Sequence, residues 1–141
     1  MDIRELVPGY SVSPQIDPSD FAQLKAEGYS TVICNRPDGE NPPEYSAAEM
    51  RAKAEAEGLT FIENPLSHGS LTMEIIDTQR QAIDSAKGPV LAYCAPGNRS
   101  SVLWALAMAG RMPADEMIEA AAKYGYRLDG IRGQIEALAQ G

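Results

Sequence analysis

A chain of 141 residues, 44% apolar and 23% charged, is long enough to build one domain with its own core, read here as spanning 1–141. Its net charge of −8, with 12 basic residues scattered among 20 acidic ones, argues against nucleic acid and anionic membrane surfaces as partners, because both select for a basic patch. No apolar run approaches the ~20 residues of a membrane span, the first residues lack the layout of a signal peptide, and Cys34 and Cys94 are too isolated to form a disulfide framework. A cytoplasmic, reducing setting is therefore expected.

The chain opens with a short apolar, turn-rich stretch over residues 3–16, containing Pro8-Gly9, which reads as a strand or hairpin-like lead-in. Asp17-Pro18-Ser19-Asp20 predicts a helix start with Asp17 as N-cap and Pro18 at the first helical position, and Gly28 stops that helix. Ser30-Thr31-Val32-Ile33-Cys34 is β-branched and predicts a buried strand, followed by a loop over 35–43 rich in charge and breakers. Ser46-Ala47-Ala48-Glu49 matches a capping box, so a helix should run from there to Glu57 and end at Gly58. Leu59-Thr60-Phe61-Ile62 is the next strand, and Glu63 to Ser70 a second loop, carrying the single histidine. Leu71 to Lys87 predicts a helix capped near Thr72, with Ile75, Ile76, Gln79 and Ile83 along one side. Val90-Leu91-Ala92-Tyr93 is a strand that stops at Cys94, and after a tight loop Val102 to Ala109 is a helix with almost no polar residue. Helices over 114–124 and from an Asp129 cap through Leu138 close the chain.

Strands alternating with helices predict an α/β fold with a parallel, in part mixed, sheet flanked by helices. Ligands of such sheets bind beyond the carboxyl ends of the strands, where the loops 35–43, 63–70 and 94–99 fall. A thiol at a strand-to-helix junction sits where backbone N–H groups and the helix dipole favour negative charge, and the thiolate is the nucleophilic form. Cys94 is thus the candidate nucleophile and Arg99 a bidentate donor to an oxyanion. Ser100 is a hydroxyl donor to the thiolate or to a leaving atom. Ala95, Gly97 and Asn98 supply loop amides, Gly97 also freeing the turn, while Pro96 has no N–H to offer. Arg36 has two readings, a second oxyanion contact or a salt bridge with a loop acid. His68 and Asp38 are the possible acids, each with a plainer alternative, an exposed loop residue for His68 and a turn-forming or solvated role for Asp38, the same two readings applying to Glu40. Cys34 reads as a small buried hydrophobe, or less simply as a resolving thiol. Trp104 and Met108 read as core. No cluster of histidines and acids suggests a metal, and no cofactor is expected.

Two resemblances attach to these residues. Ser13-Pro14-Gln15, the run Asp17 to Tyr29, and Val32-Ile33-Cys34-Asn35-Arg36-Pro37-Asp38-Gly39-Glu40 resemble the front half of dual-specificity, tyrosine-phosphatase-like domains, specifically the phosphatase-like domain family of the beta-lactamase-hydrolase-like proteins. That resemblance covers most of the chain and implies a cysteine-phosphatase architecture. Tyr93-Cys94-Ala95-Pro96-Gly97-Asn98-Arg99-Ser100 resembles instead the active loop of single-domain rhodaneses, which are sulfurtransferases, although the arginine common just after their cysteine is replaced by Ala95.

Loop length separates the two. Tyrosine-phosphatase-like enzymes place five residues between cysteine and arginine; here there are four, Ala95 to Asn98. A shorter ring of amides suits one sulfur atom better than three phosphoryl oxygens, and the loop over 63–70 lacks the aspartate that would act as general acid. The expectation is therefore a sulfurtransferase passing sulfur through a Cys94 persulfide, with a small anionic or sulfane-sulfur substrate and a thiol acceptor. The alternative is a phosphomonoester hydrolase with a Cys94 phosphocysteine intermediate.

Overall fold

The computed structural model describes residues 1–67, 71–95 and 98–140. It is built on five strands: β1 (Arg4–Val7), β2 (Tyr10–Ser13), β3 (Thr31–Cys34), β4 (Thr60–Glu63) and β5 (Val90–Tyr93). Their order across the sheet is β1-β2-β5-β3-β4. β1 pairs antiparallel with β2 as a hairpin, and Gly9 at φ 94° supplies the left-handed turn residue that L side chains avoid. The other neighbours, β2 with β5, β5 with β3 and β3 with β4, are all parallel. The mixed α/β sheet expected from the sequence is thus formed, and β2, β3, β4 and β5 end at one edge.

Among the described residues six helices cover the sheet: α1 (Asp20–Ala26), α2 (Ala47–Ala56), α3 (Met73–Ser85), α4 (Asn98–Ala107), α5 (Ala114–Ala122) and α6 (Arg132–Gln140). Alternation along the strands sorts the core into two layers. Val32, Cys34, Leu91, Tyr93 and Phe61 pack with Phe21 and Leu24 of α1 and Met50 and Ala54 of α2. Val12, Ile33, Val90 and Ala92 pack on the other face with Ile76, Leu103, Trp104, Met117 and Ile135 from α3 to α6. Every residue of β5 is buried, which explains an apolar run with no polar side to it. Trp104 is buried and stacks on Tyr10 with ring centroids 6.1 Å apart, fixing α4 against β2. Met108 is only partly buried and packs against the rim of that layer.

Several helix starts differ from expectation. Asp17 does not cap α1; its carboxylate accepts the Ser19 N–H at 2.9 Å in a local turn, and the helix begins three residues later, at Asp20. Thr72 caps α3 as expected, its Oγ1 accepting the Ile75 N–H at 3.3 Å. Ser46 accepts the Glu49 N–H at 3.3 Å, but the first N–H of α2, at Ala47, goes to the Asp38 carboxylate at 2.7 Å. Asp129 does not cap the last helix: it opens a 3-10 turn, Asp129–Ile131, with no side-chain cap, and α6 starts at Arg132. The loop expected over 35–43 contains another 3-10 turn, Asp38–Glu40, and a further one, Pro43–Tyr45, follows it. Among the described residues no helix is long and apolar enough to cross a membrane.

Candidate active site

Cys94 lies fully buried just beyond the last residue of β5. Its backbone is held from both flanks. The Cys94 N–H donates to the Ser13 carbonyl at 3.3 Å, the Gln15 N–H to the Ala95 carbonyl at 3.3 Å, and the Asn35 N–H to the Tyr93 carbonyl at 2.9 Å. The extensions of β2 and β3 therefore clamp the strand end that presents the thiol. Asn98 opens α4 and is exposed, while Arg99 and Ser100 follow in its first turn, where the helix dipole favours an anion. Pro96, Gly97 and His68 lie outside the described residues, so the amide expected of Gly97 and the acid expected of His68 have no placement here.

Arg99 is the best-anchored cation of the site. Its Nη1 donates to Glu40 Oε2 and to the Leu66 carbonyl, both at 2.9 Å, and its Nη2 to Glu40 Oε1 at 2.7 Å. The Glu40 hydrogen bonds, followed by the charge and hydrogen bonding of the Cys94 sulfur, raise Arg99 above its ordinary value against the opposing effect of burial. In return, Arg99 holds the Glu40 carboxyl below the usual carboxylate range. The side chains are 21% and 41% exposed, so water screens the pair in part.

Ser100 is fully buried; its carbonyl accepts the Tyr10 hydroxyl at 3.2 Å, while its Oγ has no hydrogen-bond partner among the described residues. A buried hydroxyl without a partner is costly, which marks this atom as waiting for an acceptor or donor. Arg36 is held by Gln15 and by its own loop: Nη1 donates to Gln15 Oε1 at 2.9 Å and Nη2 to the Glu40 carbonyl at 2.7 Å, with Nε 3.7 Å from Glu40 Oε1. The salt-bridge reading of Arg36 is therefore realised, and Gln15 ties the same guanidinium to the Ala95 end of the loop. Asp38 gives Oδ1 to the Ala47 N–H, so this candidate acid already serves as an acceptor for α2. The Cys34 thiol faces the α1–α2 layer and donates to the Arg36 carbonyl at 3.4 Å; burial pushes its pKa up.

The sequence reading missed a buried polar network beneath the site. Gln79, fully buried on α3, donates to the Tyr10 hydroxyl oxygen at 3.0 Å and accepts at Oε1 from Asn35 and Asn64, both at 2.9 Å. Asn35 also donates to the Asn64 carbonyl at 2.8 Å, and Asn64 to the Ile75 carbonyl at 3.0 Å. The Leu66 N–H donates to the Asn35 carbonyl at 3.0 Å, and the Leu66 carbonyl is the one that takes Arg99. The network thus links Tyr10, which bonds Ser100, to Leu66, which bonds Arg99. Two signals were available: a glutamine on the apolar side of a helix, and an asparagine directly after each of two strands. Glu40 reads from the sequence as a turn-forming or solvated residue; its pairing with Arg99 is visible only in the fold. Among the described residues no group of three or more histidines, cysteines or acids is placed to hold a metal.

Comparison with known proteins bears on this geometry. A family model described as beta-lactamase hydrolase-like protein, phosphatase-like domain, matches residues 2–111. A beta-lactamase hydrolase-like protein of Agrobacterium fabrum (strain C58 / ATCC 33970) is 31% identical over 112 residues, which are 78% of this chain and 26% of that relative. The chain therefore spans about a quarter of the length of that relative. A crystal structure described as a candidate phosphatase from Neisseria meningitidis Z2491 is 35% identical, with a TM-score of 0.80, covering 98% of this chain and 99% of that one. A kinase-associated phosphatase with its catalytic-site cysteine replaced by serine shares the fold at 11% identity and a TM-score of 0.73, covering 93% and 85%.

Proposed function

This chain belongs to the phosphatase-like domain family of the beta-lactamase hydrolase-like proteins, and we propose that it is a cysteine-dependent phosphatase acting on phosphomonoesters. The carrying observation is the placement of Cys94 directly after β5, at the carboxyl edge of a phosphatase-like sheet, with Arg99 in the first turn of the helix that follows. The relatives favour phosphoryl over sulfur transfer: the candidate phosphatase from Neisseria meningitidis aligns over nearly the whole of both chains, and the fold is shared with an enzyme that uses a catalytic cysteine.

In the proposed mechanism the Cys94 thiolate attacks phosphorus, forming an S–P bond as the ester P–O bond breaks. The leaving oxygen takes a proton from water. Water then attacks the phosphocysteine, releasing phosphate and restoring the thiol. Arg99, freed from Glu40, forms two parallel hydrogen bonds to phosphoryl oxygens, and the Ala95 and Asn98 amides contribute to the cradle. The Ser100 hydroxyl, which has no partner among the described residues, donates to the sulfur as it leaves phosphorus.

The four-residue spacing from Cys94 to Arg99 favours one other reading, sulfur transfer through a Cys94 persulfide. One experiment separates the two. Phosphate release from an aryl phosphate is measured beside sulfur uptake from thiosulfate, with wild type and Cys94→Ser. Phosphate release that Cys94→Ser abolishes, with no sulfur adduct, is the expected result; a sulfur adduct on Cys94 without phosphate release overturns the proposal.

A further inference from the structure

Glu40 is a single carboxylate placed between two guanidiniums. Arg99 binds it with two nitrogens at 2.7 and 2.9 Å, and Arg36 Nε stands 3.7 Å from Glu40 Oε1. Arg36 is not loosely placed. Gln15 and the Glu40 carbonyl hold its two Nη atoms at 2.9 and 2.7 Å, and its side chain is only 16% exposed. Its Nε is buried and makes no hydrogen bond among the described residues. A buried guanidinium N–H without an acceptor is costly and directional, so it marks where a further acceptor belongs.

A phosphoryl group that enters the Cys94 cradle takes over Arg99 and so displaces the Glu40 carboxylate. Once Glu40 leaves, Arg36 loses its neighbouring counter-charge while Gln15 keeps it in position. We propose that the space taken by the Glu40 carboxylate is a second anion subsite, read by Arg36, and that the preferred ligand carries a second anionic group directly beside the phosphoryl group in the cradle. Glu40 is the stand-in for that group in the empty site. This inference rests on the phosphatase reading and narrows its substrate class to phosphates with an adjacent phosphate or carboxylate.

The test is calorimetric titration in the Cys94→Ser background, so that no turnover intervenes, with inorganic phosphate and inorganic pyrophosphate as probes. Pyrophosphate should bind at least about tenfold tighter than phosphate. Adding Arg36→Gln should cut that preference to within about twofold, and Arg36→Lys, which keeps the charge but not the Nε–H donor, should fall between. Adding Glu40→Gln should tighten both anions, because the internal competitor is gone. Thermal melts of each variant show whether it is folded, and the lysine variant carries the test if the glutamine variant is not. Equal affinity for the two anions, or a loss at Arg36 that is the same for both, overturns the inference. The two failures are distinct: phosphate release from an aryl phosphate with no diphosphate preference overturns the second subsite alone, whereas binding of neither anion with Glu40 intact or replaced overturns the cradle as well.

Discussion

Cys34 and Cys94 end neighbouring parallel strands at the same edge of the sheet, and both thiols are buried. Their surroundings differ. Cys34 turns into the α1–α2 layer among Val32, Phe61, Leu91 and Tyr93, gives its proton to a backbone carbonyl, and is driven by burial away from the thiolate. Cys94 sits at the start of the loop into α4, beside a guanidinium that two carboxylate oxygens and a carbonyl hold in place. Burial alone therefore does not distinguish the inert thiol of Cys34 from the nucleophile proposed at Cys94. The difference lies in the cation within reach and in the helix start that follows.

Substitutions sharpen this contrast. Cys94→Ser should remove turnover by about a thousandfold or more, because the hydroxyl is a far weaker nucleophile at neutral pH; steady-state phosphate release measures it. Arg99→Lys should lower kcat/KM by about a hundredfold, since a point charge cannot make the two parallel bonds or keep both Glu40 and Leu66. Gln79→Leu should destabilise the fold by roughly 2–4 kcal/mol, leaving Tyr10, Asn35 and Asn64 short of partners in the core. Urea denaturation gives that value, and a loss of kcat larger than the loss of folded protein would show that the network also positions Arg99 and Ser100. Cys34→Ala should cost only about 1 kcal/mol and leave kcat within about twofold. A turnover loss at Cys34 comparable to that at Cys94 would break the contrast.

The smallest effect concerns pH. Glu40 titrates below the usual carboxylate value in the folded protein because Arg99 bonds its charged form. Its ion pair therefore contributes above the unfolded carboxylate pKa of about 4.3 and is lost as pH falls through the lowered folded value. Carbon NMR of the Glu40 carboxyl should give a midpoint below that of a free glutamate and a return toward it in Arg99→Lys. A midpoint at or above the free value contradicts the pairing.

Much of this was legible from local chemistry. The β-branched run 31–34, the apolar run 90–93 and the Thr72 cap each rest on neighbours in sequence, and each formed within a residue or two of expectation. Cys94, Arg99 and Ser100 stood out because one short loop carries them. What escaped the sequence depends on proximity across the fold. Glu40 and Arg99 are 59 residues apart, and Tyr10 and Gln79 are 69 apart, so no local pattern announces either pair. Asp38 was weighed as an acid because its type suits that role; only the packing of its turn against the start of α2 shows its carboxylate bonded to Ala47. The expectation of sulfur chemistry came from counting residues in the loop, a local measure, whereas the scaffold and the relatives point to phosphorus.

The most direct measurement is the mass of the covalent intermediate. Wild-type protein mixed with an excess of an aryl phosphate, acid-quenched within the first turnover and digested, should yield the Cys94 peptide heavier by one phosphoryl group, with Cys34 unmodified and no adduct in Cys94→Ser. A Cys94 peptide that gains sulfur from thiosulfate but never a phosphoryl group, or a phosphoryl group found elsewhere in the chain, contradicts the central claim.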